Sequence, residues 1–302
     1  MSAVTNLDAG PGMFRIAVGI ATLGRPADLR LTLANIGLQT RRPDRLVVCH
    51  VSPEDVAGVG REAGLEFITA HPGLPRQRNA ILRATDDCDA VLFLDDDFLM
   101  APGYVAATVA AFQAYQAVVV TTGDLIADGV KGPGFDEVAA RALIDADARQ
   151  PSRSGVLAAP HGYGCNMAIR LHAARDHGVW FDERLPLYAW SEDMDFTHRL
   201  GRHGRIVKLQ GARGVHLGTK KGRTSGRRLG YSQVANPIYL FGKGSYTFGR
   251  AARSVGRNIA ANLLKSAWPE TYIDRRGRLR GNLRAAADIM RGRLAPERIL
   301  EL

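Results

Sequence analysis

The stretch Ala90-Val91-Leu92-Phe93-Leu94-Asp95-Asp96-Asp97 is an unbroken apolar run that ends in three carboxylates. A continuous apolar run suits a strand covered on both faces, as in a parallel sheet flanked by helices. Three adjacent carboxylates repel one another and are costly unless water or a cation neutralises them. On an extended backbone Asp95 and Asp97 share one side and Asp96 takes the other. Ligands in open α/β sheets bind at the carboxyl ends of strands, which is where this cluster lies. A divalent-ion site and a solvated acidic loop are the two readings the residues allow.

Outward from this run the chain alternates. Phe14 to Ala21 reads as a buried strand, and Pro26 to Leu38 as a helix with Leu29, Leu33 and Ile36 on one face. Arg45–His50 and Leu65–Thr69 are short β-branched strands. Pro75 opens a helix to about Ala84, Pro102 opens another, and Val118-Val119-Val120 is a further strand. This order predicts an α/β domain on a mostly parallel mixed sheet. Residues 127–160, rich in Gly, Pro, Asp and Arg, predict an excursion with one helix near Glu137 to Ala148. Regular structure is expected to resume at Cys165–Arg170, with a helix from Ser191 and a strand at Ile206–Leu209.

Composition narrows the function classes. With 302 residues, 46% apolar and 23% charged, the chain is neither disordered nor fibrous. Cys49, Cys88 and Cys165 are far apart and form no CxxC pair, which argues against a disulfide framework and a zinc cage and for a reducing, cytoplasmic setting. Residues 1–12 lack the pattern of a secretory signal and are expected to be flexible. Phe98 to Gly123 carries no charge, but Pro102-Gly103, Gln113 and Gln116 interrupt it, so a surface helix followed by a buried strand is expected rather than a membrane span. The net charge of +10 divides unevenly. Residues 199–302 hold 23 Lys and Arg against 5 Asp and Glu, while residues 1–198 hold 17 against 25. Such a basic rear predicts an anionic partner.

With the acidic triad in view, the sequence resembles family-two glycosyltransferases of the GT-A fold, in particular bacterial polysaccharide-biosynthesis enzymes, over roughly Arg15 to His216. Leu94-Asp95-Asp96-Asp97 is similar to the family's DxD signature. The resemblance implies that Asp95 and Asp96 contact a nucleotide diphosphate-sugar and that Asp97 coordinates Mn2+ or Mg2+. Thr22-Leu23-Gly24-Arg25-Pro26 resembles the first nucleotide-contacting loop, implying roles for Thr22 and Arg25. Gly73 to Asn79 resembles the family's glycine-to-Arg-Asn stretch, implying that Arg78 and Asn79 border the nucleotide pocket. Gly162 to Arg170 resembles the segment beneath the donor sugar, with Asn166 as the polar contact.

Trp190-Ser191-Glu192-Asp193-Met194-Asp195-Phe196 also reads as a capped helix start, with Ser191 as N-cap and acids in the first turn. By resemblance Asp193 is the catalytic base, Glu192 assists it, and Trp190 stacks on an acceptor sugar. His216 would join the metal or the diphosphate. Lys220, Lys221, Arg223, Arg227 and Arg228 form a basic loop that could close over the pyrophosphate or stay solvated. The family's Asp-Asp-Gly-Ser turn is replaced by Cys49-His50-Val51-Ser52-Pro53-Glu54, so UDP, GDP and dTDP donors remain open.

The organisation expected is a GT-A-type domain at 13–231 followed by a basic helical extension at 232–302. In the extension Phe248, Ala251, Ala252, Val255, Ile259 and Leu263 form one stripe, and Leu279, Leu283, Ala287, Met290 and Leu294 another. A basic amphipathic helix suits an anionic membrane or packing on its own domain. No nucleic-acid motif accompanies the charge. The expected activity is metal-dependent, inverting sugar transfer to a glycan or lipid-linked acceptor, in the cytoplasm or at the inner membrane face. A sugar-phosphate nucleotidyltransferase and a non-catalytic nucleotide-sugar or membrane-binding module are the alternatives.

Overall fold

The computed structural model describes residues 13–60, 64–221 and 224–302. The expected flexible N-terminus at 1–12 and the loop residue Arg223 lie outside the described residues. In chain order the elements are β1 (Ile16–Ala21), α1 (Pro26–Ile36), β2 (Arg45–His50), β3 (Leu65–Thr69), α2 (Leu74–Ala84), β4 (Ala90–Asp95), β5 (Phe98–Met100), α3 (Tyr104–Ala114), β6 (Val118–Asp128), α4 (Glu137–Ala148), β7 (Val156–Ala158), β8 (Met167–Arg170), α5 (Leu171–Asp176), α6 (Glu192–Leu200) and β9 (Arg205–His216). The basic rear adds α7 (Gly226–Gly242), α8 (Phe248–Lys265) and α9 (Arg275–Met290).

The strands form one mixed sheet in the order β3-β2-β1-β4-β8-β6-β9-β5, with β7 also paired to β9. Strands β1, β2, β3, β4, β6 and β9 point one way, and β5, β7 and β8 run against them. Alternate residues of β4 face opposite layers. Leu92 and Leu94 pack with Leu29 and Ile36 of α1 and Val105 and Phe112 of α3, while Val91 and Phe93 pack with Ile81 of α2 and Phe196 of α6. Each such fully buried side chain contributes about 1.5–3 kcal/mol of transfer free energy, so β4 is a central element of both cores. Among the described residues no helix is long and apolar enough to cross a membrane.

Two strands outrun the sequence expectation. β6 continues beyond Val120 to Asp128, and β9 continues beyond Leu209 to His216. The ladder slips where Gly123 pairs Leu209 but Asp124 pairs Arg213, and ion pairs interrupt the apolar contacts that Ile126, Ala127 and Val215 make in the distal half. Arg213 donates to Asp124 at 2.5 Å and to Asp147 of α4 at 2.6 and 2.9 Å. That is why apolar periodicity does not reveal it.

The rear also departs from expectation. α7 starts at Gly226, ahead of the expected boundary at 232. On α8, Ala251 is buried and Val255 and Ile259 pack toward α7, but Phe248, Ala252 and Leu263 stay exposed. α9 turns its small and polar face inward, burying Gly277, Gly281, Asn282, Ala285 and Asp288, and leaves Leu283 and Met290 outside. The reason is close backbone approach: a Cβ at Gly281 would lie 2.1 Å from the Arg227 carbonyl oxygen. Leucines cannot occupy that seam. Buried Asp288 accepts from Tyr231 at 3.0 Å and from Arg293 and Arg298 at 3.0 and 2.9 Å.

Candidate active site

β4, β6 and β9 end at the same edge of the sheet, and their last residues form an acid–imidazole cluster. His216 Nε2 lies 3.3 Å from Asp97 Oδ1 and 3.7 Å from Asp95 Oδ2. One ligand atom from each of Asp95, Asp97 and His216 lies within 4.8 Å of the others. On its far side His216 Nδ1 stands 3.1 Å from Asp128 Oδ1, and Asp128 Oδ2 accepts the Tyr163 hydroxyl at 3.0 Å. The parallel register that pairs Asp128 with His216 explains the meeting.

Electrostatics favour a positive charge here. Burial alone would push the Asp97 carboxyl up, but His216, Arg25 and the Thr219 amide hold it well below the usual carboxylate range. Burial opposes the imidazolium of His216, yet Cys165 and the carboxylates of Asp128 and Asp97 raise it well above its ordinary value. Two carboxylates and an imidazole are a donor set for a divalent cation. A carboxylate on the other ring nitrogen is the usual way a ligating histidine is oriented.

Asp96, in the turn that follows β4, points away from this cluster. It is fully buried, accepts from Thr22 Oγ1 at 2.7 Å and pairs with Arg25 at 2.9 Å. Burial, opposed by Arg25 and reinforced by Asp97, pushes its carboxyl up to about 8. Thr22 is buried as well, and Arg25 also reaches Asp97 at 3.6 Å. Thr22, Arg25 and Asp96 therefore form the floor of the acidic turn, an arrangement in which Thr22 and Asp96 have no open face for a nucleotide.

Arg78 joins the metal-type cluster to the start of α6. Its guanidinium donates to Glu192 at 2.5 Å and to the Gly164 carbonyl at 2.7 Å, and reaches Asp95 at 3.5 Å. The Gly164 amide donates to Asp193 Oδ2 at 2.9 Å, and the Asp95 amide donates to the Cys165 carbonyl at 3.1 Å. Asp95, Asp193 and Glu192 thus converge around Gly164 and Arg78. Burial and Asp193 push the Glu192 carboxyl up to about 8 against the pull of Arg78.

The lead-in to α6 is strained. Leu187, Ala189 and Ser191 have φ of 58°, 53° and 75°, each costing about 1–3 kcal/mol for a residue with a Cβ. Ser191 occupies the N-cap position but makes no capping bond. The rear helix holds this loop in place. Asn236 donates to the Trp190 carbonyl at 3.0 Å, and Leu185 and Ala189 pack with Leu240 and Tyr246. Asp195 of α6 accepts from Ser245 at 2.5 Å and Lys243 at 2.9 Å.

Other expected site residues are placed differently. Asn79 spends its amide on Phe181 and Glu183, fastening the 181–183 segment. Asn166 is fully buried beneath the cleft; its Oδ1 accepts from Thr122 at 2.8 Å and its Nδ2 is an orphaned donor. Trp190 is half-buried with its indole Nε1 unpartnered. Lys220 donates to the carbonyls of Gly129 and Val130. Sequence reading gave no role to Asp128, Tyr163 or Gly164. Tyr163 and Gly164 stand inside the stretch that resembles the donor-sugar segment, whereas nothing in the Gly- and Asp-rich neighbourhood singles out Asp128.

No protein-family model and no curated protein matches the chain in sequence. Solved structures do match in fold. GalNAc-T7 with UDP, GalNAc and Mn2+ superposes with a TM-score of 0.54 at 14% identity, over 86% of this chain and 59% of that one. The mannosyltransferase PcManGT from Pyrobaculum calidifontis, in complex with GDP-Man and Mn2+, gives 0.55 at 16% identity over 91% and 80%. S. aureus TarS 1–349 in complex with UDP-GlcNAc gives 0.55 at 15% identity over 93% of each chain. The chain spans 59% of GalNAc-T7 and 40% of a longer TarS structure. The protein therefore has the GT-A glycosyltransferase fold, with an acidic strand-end cluster at the sheet edge.

Proposed function

We propose that the chain is a metal-dependent, inverting glycosyltransferase that moves a sugar from a nucleoside diphosphate-sugar to a hydroxyl of a glycan or lipid-linked acceptor. The observation that carries this reading is the convergence of Asp95, Asp97 and His216 with Asp193 through Arg78 and Gly164. The neighbours with UDP, GDP-Man, UDP-GlcNAc and Mn2+ support it. Asp95, Asp97 and His216 would hold the cation, and the imidazole ligand favours Mn2+ over Mg2+. Such an ion, when bound, supplies positive charge for a departing diphosphate.

The protein groups do the rest. Asp193 takes the proton from the acceptor hydroxyl, whose oxygen forms a bond to the anomeric carbon from the face opposite the diphosphate. That carbon–oxygen bond to the diphosphate breaks, and the single displacement inverts the configuration. Arg78 and the Gly164 amide fix Asp193 and Glu192 before the acceptor arrives, so orientation is set in advance. Trp190, with half-exposed Tyr188 two residues before it, offers aromatic surface to an acceptor. Asp193→Asn is expected to abolish transfer while donor binding, measured calorimetrically with Mn2+ present, stays nearly intact. Turnover retained by Asp193→Asn overturns the assignment.

A further inference from the structure

The outer face of α8, the connection to α9, and α9 itself form an exposed surface that is both apolar and cationic. Trp268 is 86% exposed, Met290 83%, Leu264 73% and Leu283 64%. On α9 the apolar residues Leu283, Ala286 and Met290 lie along one side, and Arg276 and Arg280 flank them at helical spacing. On α8 the exposed side holds Leu263 and Leu264 with Arg253 and Arg257. Arg253, Arg257, Arg276, Arg280 and Arg291 are exposed, and none of them pairs with a carboxylate among the described residues.

Several other cations of the rear are neutralised. Arg275 and Lys265 share Glu270, and Arg293 and Arg298 share Asp288. Arg253, Arg257, Arg276 and Arg280, with Arg291 directly after α9, thus share α8 and α9 with the exposed large apolar residues. A protein partner with a matched acidic, apolar face would have to be equally large and flat, whereas an anionic bilayer offers both chemistries over any area. Interfacial helices use this pattern: apolar side chains enter the acyl boundary while arginines and tryptophan sit among the headgroups. We propose that this surface docks on an anionic lipid bilayer.

The location suits the cleft. Lys220, four residues beyond His216, places its ammonium 5.7 Å from the Tyr272 ring in the α8–α9 connection. The connection that carries Trp268 is therefore in contact with the loop that leaves the acid–imidazole cluster. This inference goes beyond sugar transfer and holds whether or not that reaction is the right one.

The test is flotation of the full chain with vesicles of phosphatidylcholine alone and with vesicles containing one-third phosphatidylglycerol. Binding to the anionic vesicles only is expected, weakened by high salt. Arg253→Glu/Arg257→Glu/Arg280→Glu should lower the bound fraction at least about tenfold, as should Leu264→Ser/Trp268→Ser, with circular dichroism unchanged. Failure to float with anionic vesicles at low salt overturns the proposal. Equal binding by the charge-reversed variant overturns it as well. So does a dimer in sedimentation velocity that Leu264→Ser/Trp268→Ser converts to monomer, because the surface is then a contact between two copies.

Discussion

His216 Nδ1 lies 3.1 Å from Asp128 Oδ1, and the residues sit opposite one another on the paired ends of β9 and β6. Asp128 fixes the ring so that Nε2 faces Asp95 and Asp97. Replacing Asp128 by Ala should leave the three proposed metal ligands in place but release the ring. Mn2+ affinity, read by titration calorimetry, is expected to fall about 10–100-fold. An unchanged affinity would show that the ring needs no such support.

Arg78 and Glu192 form a buried pair, with side chains 3% and 7% exposed. Removing one partner of such a pair leaves a buried charge or an unsatisfied acid. Arg78→Met is expected to lower the unfolding free energy by about 1–3 kcal/mol, measured by urea denaturation. Arg78→Met/Glu192→Gln should recover part of that loss. If the double variant is no more stable than the single one, the two side chains do not act as a pair.

Glu192 also gives stability a pH dependence. Its carboxyl is pushed up to about 8 in the folded chain, against about 4.3 for an unperturbed glutamate. The folded state therefore holds this proton more tightly than the unfolded state. Its contribution is fully present below about pH 4.3 and is lost as pH rises through about 8. Glu192→Gln should flatten the decline in melting temperature between pH 5 and 8. A variant with the same pH slope as the parent would count against the assignment.

Gly164 sits where a side chain would press on both neighbours. A Cβ there would lie 3.2 Å from Arg78 Nη2 and 3.2 Å from Asp193 Oδ2. Gly164→Ala should move Asp193 by a few tenths of an ångström without touching the acidic cluster. The expected outcome in steady-state kinetics is a kcat lowered about tenfold, with the KM for donor little changed. A larger change in donor KM than in kcat would mean that Gly164 shapes the donor pocket instead.

The parallel half of the fold and the acidic turn were legible because burial leaves a simple record. Residues 90–94 are apolar without a break, and the expected separation of Asp96 from Asp95 and Asp97 is found, although Asp96 and Asp97 lie in a turn rather than in the strand. The helix expected near Glu137 to Ala148 is present, and Asp136 caps it by accepting from the Ala139 amide. The distal halves of β6 and β9 were not legible, because glycines and charged residues break their apolar pattern, and the ion pairs of Arg213 with Asp124 and Asp147 have no period in sequence. Asp128 was hidden for the same reason. On α9, leucine spacing pointed to the wrong side, since the closeness of α7 selects glycine and alanine for the seam. A family resemblance brought Asp193 and His216 into consideration; only the fold showed Asp95, Arg78 and Gly164 lying between them.

The fastening of the strained Leu187–Ser191 turn by Asn236, Leu240 and Tyr246 makes the sheet-bearing part of the chain a poor candidate for transplantation on its own. A fragment ending near residue 231 would keep every acidic side chain of the candidate site, yet lose the brace that holds the segment before Glu192 in its left-handed path. Chimeras that exchange acceptor preference between such proteins should therefore carry the helical rear along with the turn it supports, treating the two as one inherited part.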